Sequence, residues 1–231
     1  MTATSQLAES ARRDEVKNLF DLYYGEYRIL DLIGEVQGCR VLDAGCGSGR
    51  KASELVERGA SVVGVDNDPD AISVARTRVD AFAEFHVADL REPLSFLESE
   101  SFDLIIASLV LHYLADWNLA LSEFARVLRS SGRLVFSIHH PFMDFVESES
   151  FDYFAVQQWE FKTDAEPPQT HVFWRRPLEK VFEPLMQNEF IVRSVIEPLP
   201  SPSTETKNPR LFSALSTAPR LLMVAAGKQP S

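Results

Sequence analysis

Short apolar stretches alternate along the chain with segments whose apolar residues recur at helical spacing. Seven stretches predict strands, at residues 39–42, 61–65, 84–87, 102–107, 134–138, 190–196 and 220–226. Between two of them, Ile72, Ala75 and Val79 follow Asp68 and Pro69, a pair that suits a helix N-cap and first turn. Repeated alternation of strand and helix predicts an α/β fold with a mostly parallel sheet.

A second apolar stripe predicts a helix before the fifth strand. The helix would begin at Asp116 and stop at Gly132, and its stripe consists of Leu121, Phe124, Ala125 and Leu128.

Two regions depart from the strand–helix rhythm. The first 36 residues predict two amphipathic helices that would cap the domain. Residues 141–174 contain nine aromatic residues, which is far above the 10% of the whole chain, and this stretch is too long for a typical connection. It favours either an ordered lid or an insertion with a small core of its own. We expect a single domain over 1–231, with a helical cap at 1–36 and a lid insertion at 141–176, called the lid segment below.

Composition narrows the class of protein. The 231 residues are 45% hydrophobic and 25% charged, as in ordinary globular proteins, and general disorder is excluded. A formal net charge of -11 argues against a nucleic-acid partner, because phosphate binding needs a basic surface. Since no apolar run reaches the roughly 20 residues of a membrane span and no secretory leader is visible, we expect no membrane partner and a cytoplasmic location. Cys39 and Cys46 are then expected to be reduced thiols.

A glycine loop at residues 40–49 carries the candidate chemistry. Its pattern is Asp43-x-Gly45-x-Gly47-x-Gly49, directly after an apolar strand and before a helix. Glycines at such a turn let a ligand approach the main chain closely. The dinucleotide-binding pattern of dehydrogenases needs glycine at the sixth position, where this chain has Arg50, so that alternative is disfavoured.

This loop and four later segments resemble the class I S-adenosylmethionine (SAM) methyltransferases. The nearest likeness is to the small-molecule type 11 group, which includes quinone-biosynthesis methyltransferases. Asp66 and Asp89 each end a strand at intervals of 23 residues after Asp43, and the segments 102–108 and 126–135 follow in order. The resemblance covers residues 38–140 well. It implies a Rossmann-like, seven-stranded sheet with an antiparallel last strand, helices on both faces and a lid after strand five.

The resemblance also implies a cofactor site for SAM, with S-adenosylhomocysteine as product. Asp66 would accept from the ribose hydroxyls, and Asp89 and Leu90 would hold the adenine. The full set of expected cofactor residues is Asp43, Gly45, Cys46, Gly47, Asp66, Asn67, Asp89, Leu90, Ser108, Tyr23 and Tyr24.

The acceptor site is expected at the carboxyl ends of strands four and five. His139, His140 and His112 are candidates for a catalytic base, and the pair His139-His140 is expected to titrate near the ordinary histidine pKa of about 6.5. The aromatic lid segment, with Tyr153 and Trp159, favours an apolar or aromatic small-molecule acceptor.

Other expectations concern charge and metal. Arg175 and Arg176 are expected as a surface pair, with contact to an anionic acceptor group as the alternative. No metal-ligand spacing is present in the sequence, so metal-dependent transfer is not expected.

The activity expected is methyl transfer to oxygen or nitrogen of a small organic molecule. Two other functions remain open on the same fold: a SAM-binding protein that does not methylate, and a SAM-dependent cyclase. The acceptor and the oligomeric state cannot be derived from the sequence.

Overall fold

The computed structural model describes residues 26–79, 82–148, 152–162 and 170–229. The strands within these ranges are β1 Arg40–Ala44, β2 Ser61–Asp66, β3 Ala83–Val87, β4 Phe102–Ser108, β5 Leu128–His139, β6 Gln157–Lys162, β7 Thr170–Arg175, β8 Phe190–Ile196 and β9 Leu221–Lys228. The helices are α1 Glu26–Ile33, α2 Arg50–Glu57, α3 Pro69–Arg78, α4 Asn118–Val127, α5 Pro141–Glu147, α6 Glu179–Gln187, α7 Pro202–Lys207 and α8 Pro209–Ser216, with a 3-10 turn at Leu111–Tyr113.

Seven strands form one sheet in the order β3-β2-β1-β4-β5-β9-β8. Strands β1 to β5 pair in parallel, and β9 runs antiparallel to both of its neighbours, β5 and β8. The expected seven-stranded, mostly parallel sheet with an antiparallel last strand is therefore confirmed. Strand order reverses between β1 and β4, the place where open α/β sheets bind ligands at their carboxyl ends.

The sheet is buried on both faces, which explains why its strands are continuous apolar runs. In β1, Val41 belongs to the core on one face and Leu42 to the core on the other. Trp117 and Phe124 pack in the core that contains Leu42, and Ile72 packs in the core that contains Val41.

Helix boundaries follow local capping, with one error in the sequence-based prediction. Asp68 caps α3 as expected, because its Oδ1 accepts from Asp70 N at 2.9 Å and Pro69 occupies the first turn. The predicted stop at Gly132 is wrong: α4 ends at Val127, and the chain enters β5 at Leu128. Leu128 pairs with Phe102 at the start of β4 and is fully buried, so sheet pairing extends the strand backward past the glycine.

The N-terminal cap is described only from Glu26 onward. Helix α1 corresponds to the second predicted helix, and Arg133 donates from Nη2 to Ile33 O at 2.9 Å, which caps its carboxyl end. The first predicted helix, with Tyr23 and Tyr24, lies outside the described residues.

The lid segment contains α5 and a hairpin of β6 and β7, an antiparallel pair separate from the main sheet. Gln157 lies opposite Arg175, and Trp159 lies opposite Phe173. Among the described residues, no helix has the length and apolar character needed to cross a membrane.

Candidate active site

The glycine loop is held in a conformation that favours glycine. Gly45, Gly47 and Gly49 have φ values of 75°, 54° and 78°, in the left-handed region. Gly45 N donates to Val65 O at 2.7 Å, which ties the loop to β2. A Cβ at Gly45 would lie 2.4 Å from the side chain of Val110, so the loop also packs closely against the segment after β4.

Asp66, at the end of β2, connects the glycine loop to the next helix. Its Oδ2 accepts from Gly47 N at 2.9 Å and its Oδ1 accepts from Asp68 N at 3.0 Å. The side chain is half-buried, and Asn67 beside it is exposed. A carboxylate has about four acceptor positions, so Asp66 can accept further hydrogen bonds from a ligand while it holds the loop.

Two other loop residues that the sequence predicts for the cofactor site are buried. Asp43 is 1% exposed and Cys46 is 8% exposed. A Cβ at Gly64 would lie 3.0 Å from the sulfur of Cys46, so this thiol packs on the neighbouring strand. Both Cys46 and the half-buried Cys39 are free thiols.

Asp89, which follows β3, is held by a neighbouring arginine. Both of its carboxylate oxygens accept from Arg91 Nε at 3.0 Å, and this hydrogen bonding lowers the pKa of Asp89. Asp89 Oδ1 also accepts from Arg91 N at 2.9 Å, while Leu90 is buried. The carboxylate thus stays ionised at the edge of the loop after β3.

The carboxyl ends of β4 and β5 meet at a strained residue. Leu109, directly after β4, has φ of 52°, which is uncommon for a residue with a branched side chain. Its N–H donates to Ser137 O at 2.9 Å, and Ser108 Oγ lies 3.2 Å from Ser137 Oγ. Strain of this kind persists where the surroundings enforce it, and it accumulates at functional sites.

Two of the predicted catalytic histidines meet under the lid segment. The rings of His112 and His139 are stacked, with centroids 4.3 Å apart and planes inclined by 16°. Phe173 of β7 presents its ring edge-on to both, at 4.8 Å from His139 and 5.5 Å from His112. Trp159 packs on Phe173 at 4.8 Å. The aromatic hairpin therefore covers the two imidazoles.

The expected pKa of His139 is wrong. Burial and the nearby His171 lower it to about 4, so the imidazole is neutral at physiological pH. A neutral imidazole can still accept a proton in a reaction.

Asp144, on α5 of the lid segment, lies beside His139. Its Oδ1 is 3.8 Å from His139 Nδ1, and the residue is 6% exposed. Burial and Glu147 raise the pKa of Asp144 to about 8, although Arg175 and Arg176 act in the opposite direction.

His140 has a different environment from its neighbour, because successive residues at a strand end point to opposite sides. Its Nδ1 accepts from Phe142 N at 3.2 Å, which caps α5, and its Nε2 lies 2.9 Å from Glu197 Oε1. Burial lowers the pKa of His140, against the opposing effect of Glu197, so the ordinary pKa expected for this histidine is wrong as well. Both ring nitrogens are thus engaged within the protein.

Arg175 and Arg176 are not a surface pair, since they are only 1% and 5% exposed. Arg175 donates to Asp152 O and to Gln157 Oε1, both at 2.8 Å, within the lid segment. The guanidinium of Arg176 lies 4.3 Å from the ring centroid of Trp117. The predicted substrate residue Tyr153 is also engaged in this region, and its hydroxyl accepts from Leu178 N at 3.1 Å.

Sequence reasoning missed Asp144 and the burial of both arginines. The period of two along β7 offered a signal for Arg175, because His171, Phe173 and Arg175 alternate with positions that are more exposed. For Asp144 the signal was its helical spacing of four residues from His140, whose carbonyl accepts from Asp144 N at 3.0 Å. Among the described residues, no group of three or more His, Cys, Asp or Glu side chains could hold a metal ion.

The chain resembles a known protein family and solved structures. Residues 42–136 match the family model described as a methyltransferase domain. The chain is 36% identical over 110 residues to magnesium-protoporphyrin O-methyltransferase of Rhodobacter capsulatus, a match that covers 45% of this chain and 46% of that protein. It is also 36% identical over 115 residues to a ubiquinone biosynthesis O-methyltransferase of Hahella chejuensis, covering 47% and 48% of the two chains.

A solved structure extends the likeness to the fold as a whole. A putative S-adenosylmethionine-dependent methyltransferase from Listeria monocytogenes superposes with a TM-score of 0.75 at 23% identity, covering 88% of this chain and 96% of that one. The chain spans about half the length of the curated relatives that it matches. The region matched by the family model, residues 42–136, contains the glycines of the loop, Asp66 and the end of β4, and it stops before the end of β5 at His139.

Proposed function

Residues 42–136 match a methyltransferase domain, and on this premise we propose that the chain is a class I SAM-dependent methyltransferase that methylates a small organic acceptor. The proposed acceptor atom is oxygen or nitrogen, and the proposed acceptor is mostly apolar or aromatic. When bound, SAM supplies an activated methyl group on its sulfonium and leaves as S-adenosylhomocysteine.

The residues of the loop fit this cofactor. The observation that carries the proposal is the hydrogen bond from Gly47 N to Asp66 Oδ2, because it fixes a carboxyl group against glycines in the left-handed conformation. We propose that Asp66 uses its remaining acceptor positions for the ribose hydroxyls. We propose that the main chain of Gly45 and Gly47 approaches the methionine part, with Val110 packed against the other side of Gly45.

The remaining cofactor contacts come from the ends of β1, β3 and β4. We propose that Asp89 and Leu90 bind the adenine, with Asn67 beside it, and that Ser108 lies near the methyl-transfer centre. Asp43 and Cys46 are buried, and we propose that they hold the loop in place from within the protein.

On the acceptor side, we propose His139 as the base and Trp159 with Phe173 as the apolar wall. His139 is neutral at physiological pH and lies at the carboxyl end of β5, where it can receive a proton. The protein's main contribution is to position the acceptor in line with the methyl group, and a closed aromatic hairpin also excludes water. The names of the two curated relatives, both O-methyltransferases, support oxygen as the acceptor atom.

An acceptor screen tests the proposal. The purified full chain is incubated with SAM and pooled phenols, hydroxylated aromatic acids, aliphatic alcohols and aromatic amines, and S-adenosylhomocysteine and products are measured by mass spectrometry. We expect a product one methyl group heavier than its acceptor, formed together with S-adenosylhomocysteine, and no turnover by Asp66→Ala.

Other outcomes would contradict the proposal. SAM binding by calorimetry with no S-adenosylhomocysteine from any pool would favour a binding protein. A product isomeric with its substrate would favour a cyclase, and tighter binding of NAD than of SAM would exclude the cofactor assignment.

A further inference from the structure

The guanidinium of Arg176, the residue after β7, is buried under the lid segment. The residue is 5% exposed and lies over the ring of Trp117, and its Nη2 donates to Leu114 O and, at 3.5 Å, to Ala115 O. Within the described ranges, its Nε is buried without a hydrogen-bond partner, and the side chain forms no ion pair with a carboxylate. Arginine is rarely buried to this extent without a paired charge.

The two acidic residues that act on Arg176 do not neutralise it. Burial and Glu147 raise the pKa of Asp144 to about 8, so this group is mostly protonated at neutral pH. Asp116 is exposed, and its Oδ1 accepts from N and Nδ2 of Asn118 at 2.9 and 2.8 Å. Burial lowers the pKa of Arg176 to about 10, which still leaves the guanidinium charged. A buried positive charge of this kind is costly until an anion binds to it.

Arg176 is close to the proposed acceptor site. Leu114, whose carbonyl accepts from Arg176, directly follows the 3-10 turn that contains His112. Phe173, three residues before Arg176, is buried and presents its ring edge-on to both His112 and His139. The charge therefore lies at one side of the aromatic surface on which the acceptor is proposed to bind.

The neighbouring Arg175 has a different environment. It donates to Asp152 O and to Gln157 Oε1, both at 2.8 Å, and these oxygens belong to the lid segment itself. Arg175 thus holds the lid segment together, whereas the hydrogen bonds of Arg176 cross from the lid segment to the main domain. Of the two arginines, Arg176 is the candidate for a ligand.

We propose that Arg176 binds a carboxylate of the acceptor, and that the methylated atom is a different oxygen or nitrogen of the same molecule. This inference rests on the proposed methyl transfer and deepens it, because it names the acceptor class: aromatic acids that carry a hydroxyl or amino group. A planar carboxylate matches the fork of N–H donors on a guanidinium. The aromatic ring of the acceptor packs against Phe173. The bound carboxylate is a poor nucleophile, since its charge and lone pairs are engaged, and the methyl group goes to the other atom.

The lid segment admits the carboxylate. Nε of Arg176 is buried in the present arrangement, so the acceptor enters while the hairpin of β6 and β7 is apart from the turn after β4. This hairpin is a separate sheet from the seven-stranded one, and it can move without breaking the pairing of the main sheet. When the hairpin returns, the apolar surroundings exclude water and strengthen the ion pair.

Binding without methyl transfer tests the anion site. The purified full chain, saturated with S-adenosylhomocysteine, is titrated by calorimetry with hydroxybenzoic, aminobenzoic and hydroxycinnamic acids, and with the primary amide of each acid as a neutral match. We expect the acids to bind at least about tenfold more tightly than the amides, because a hydrogen bond to a charged group contributes this much.

Variants of Arg176 assign that preference to the guanidinium. Arg176→Gln keeps a donor for Leu114 O and removes the charge, so it should weaken binding of the acids by about ten- to 100-fold and binding of the amides less. Arg176→Lys keeps the charge and should retain part of the preference. Arg193→Gln changes an exposed arginine on β8 and should bind both classes as the wild type does. Circular dichroism and S-adenosylhomocysteine affinity show that each variant is folded, and the comparison of acids with amides in the wild type holds without them.

Three results would overturn the inference. One is wild-type protein that binds no acid in the set, or binds acids and amides equally. Another is a preference for acids that persists unchanged in Arg176→Gln, because another cation would then bind the carboxylate. The third is tighter binding of hydroxyphenyl phosphates than of the acids, which would replace the carboxylate by a phosphate.

Methylation of the same compounds separates this inference from the proposed function. We expect a product one methyl group heavier that keeps its free carboxyl group, and a KM for acids that rises in Arg176→Gln while kcat changes less. Methylation of neutral acceptors only, or a methyl ester as the product, would refute the inference and leave the methyl transfer intact. Acid binding that depends on Arg176 with no methylation of any acceptor would instead refute the proposed function.

Discussion

The imidazole of His112 lies face to face with the imidazole of His139, 4.3 Å away and inclined by 16°. One ring comes from the 3-10 turn after β4 and the other from the end of β5, so the contact joins the two strand ends at the proposed acceptor site. Two imidazolium ions at this distance would repel strongly in a buried site, and the stack therefore favours neutral rings. A neutral His139 in a fixed orientation is the form that a base requires.

The adjacent histidines give the first prediction, because His139 is stacked on His112 at the proposed acceptor site whereas His140 caps α5. His139→Gln should lower kcat by about 100-fold or more, the usual contribution of a general base, and leave SAM affinity within about twofold, since the ring lies on the acceptor side. His140→Asn should retain the pH profile of the wild-type protein, because Asn preserves the cap on α5. Kinetics with an acceptor from the screen and calorimetry with SAM check both expectations, and equal losses of kcat in the two variants would contradict them.

A second prediction is that His140 contributes to the stability of the fold. His140→Ala removes the acceptor for Phe142 N and the partner of Glu197, so we expect a loss of about 1–2 kcal/mol in the free energy of unfolding. His140→Asn should recover part of that loss, because Asn is among the best N-caps. Urea unfolding followed by circular dichroism measures both, and an unchanged midpoint for His140→Ala would show that the cap contributes nothing.

Local patterns account for what the sequence could predict. Asp43 to Gly49 and Asp66 are recognisable because a strand, a tight turn and a helix follow one another in a short stretch of chain. Asp68 likewise caps a helix that begins at the next residue. Each of these features depends on a few consecutive residues, so their environment can be inferred before the fold is known.

Packing in the folded protein accounts for what the sequence could not predict. Asp144 is only five residues from His139 in the chain, but the burial of both side chains decides their pKa values. Arg176 is buried on Trp117, which lies 59 positions earlier in the chain, and no local pattern reveals that contact. The prediction that the helix ends at Gly132 was wrong for a related reason, because the pairing of Leu128 with β4 ends the helix earlier.

A third prediction concerns the cofactor carboxylate, Asp66. Asp66→Ala should weaken SAM and S-adenosylhomocysteine binding by about ten- to 100-fold, because hydrogen bonds to a charged group contribute about 1.5–3 kcal/mol. The loop also loses the partner of Gly47 N. Asp70→Ala, in the first turn of α3, removes a carboxylate four residues away and serves as control. Calorimetry with S-adenosylhomocysteine measures both variants, and equal affinity in Asp66→Ala and the wild type would exclude the assignment.

A fourth prediction uses the close approach of Gly45 to Val110. Gly45→Ala adds a Cβ at 2.4 Å from the Val110 side chain and forces a residue with a side chain to φ of 75°. We expect a loss of about 2–4 kcal/mol in unfolding free energy, from overpacking and the left-handed conformation together. The double variant Gly45→Ala with Val110→Ala should recover only part of the overpacking, because the Cβ of residue 110 remains, 2.6 Å from the added Cβ. A double variant no more stable than Gly45→Ala would mean that the clash is relieved by another movement.

The last prediction follows from the opposed pKa shifts of Asp144 and His139. Asp144 binds its proton more tightly in the folded state, since its pKa rises from 3.8 to about 8, so its contribution to stability falls as the pH rises from 3.8 to 8. His139 has the opposite sign, because its pKa falls from 6.5 to about 4 and its contribution rises with pH over that range. The two effects oppose each other below pH 6.5, and only the effect of Asp144 remains between pH 6.5 and 8.

Wild-type protein should therefore lose stability between pH 6.5 and 8, by up to about 1.4 kcal/mol per pH unit. Asp144→Asn should lack this decline, because its amide is neutral at every pH, while Glu160→Gln on the exposed side of β6 should keep it. Urea midpoints at pH 6.5 and at pH 8 measure the difference, and a decline of equal size in Asp144→Asn would show that another group titrates there.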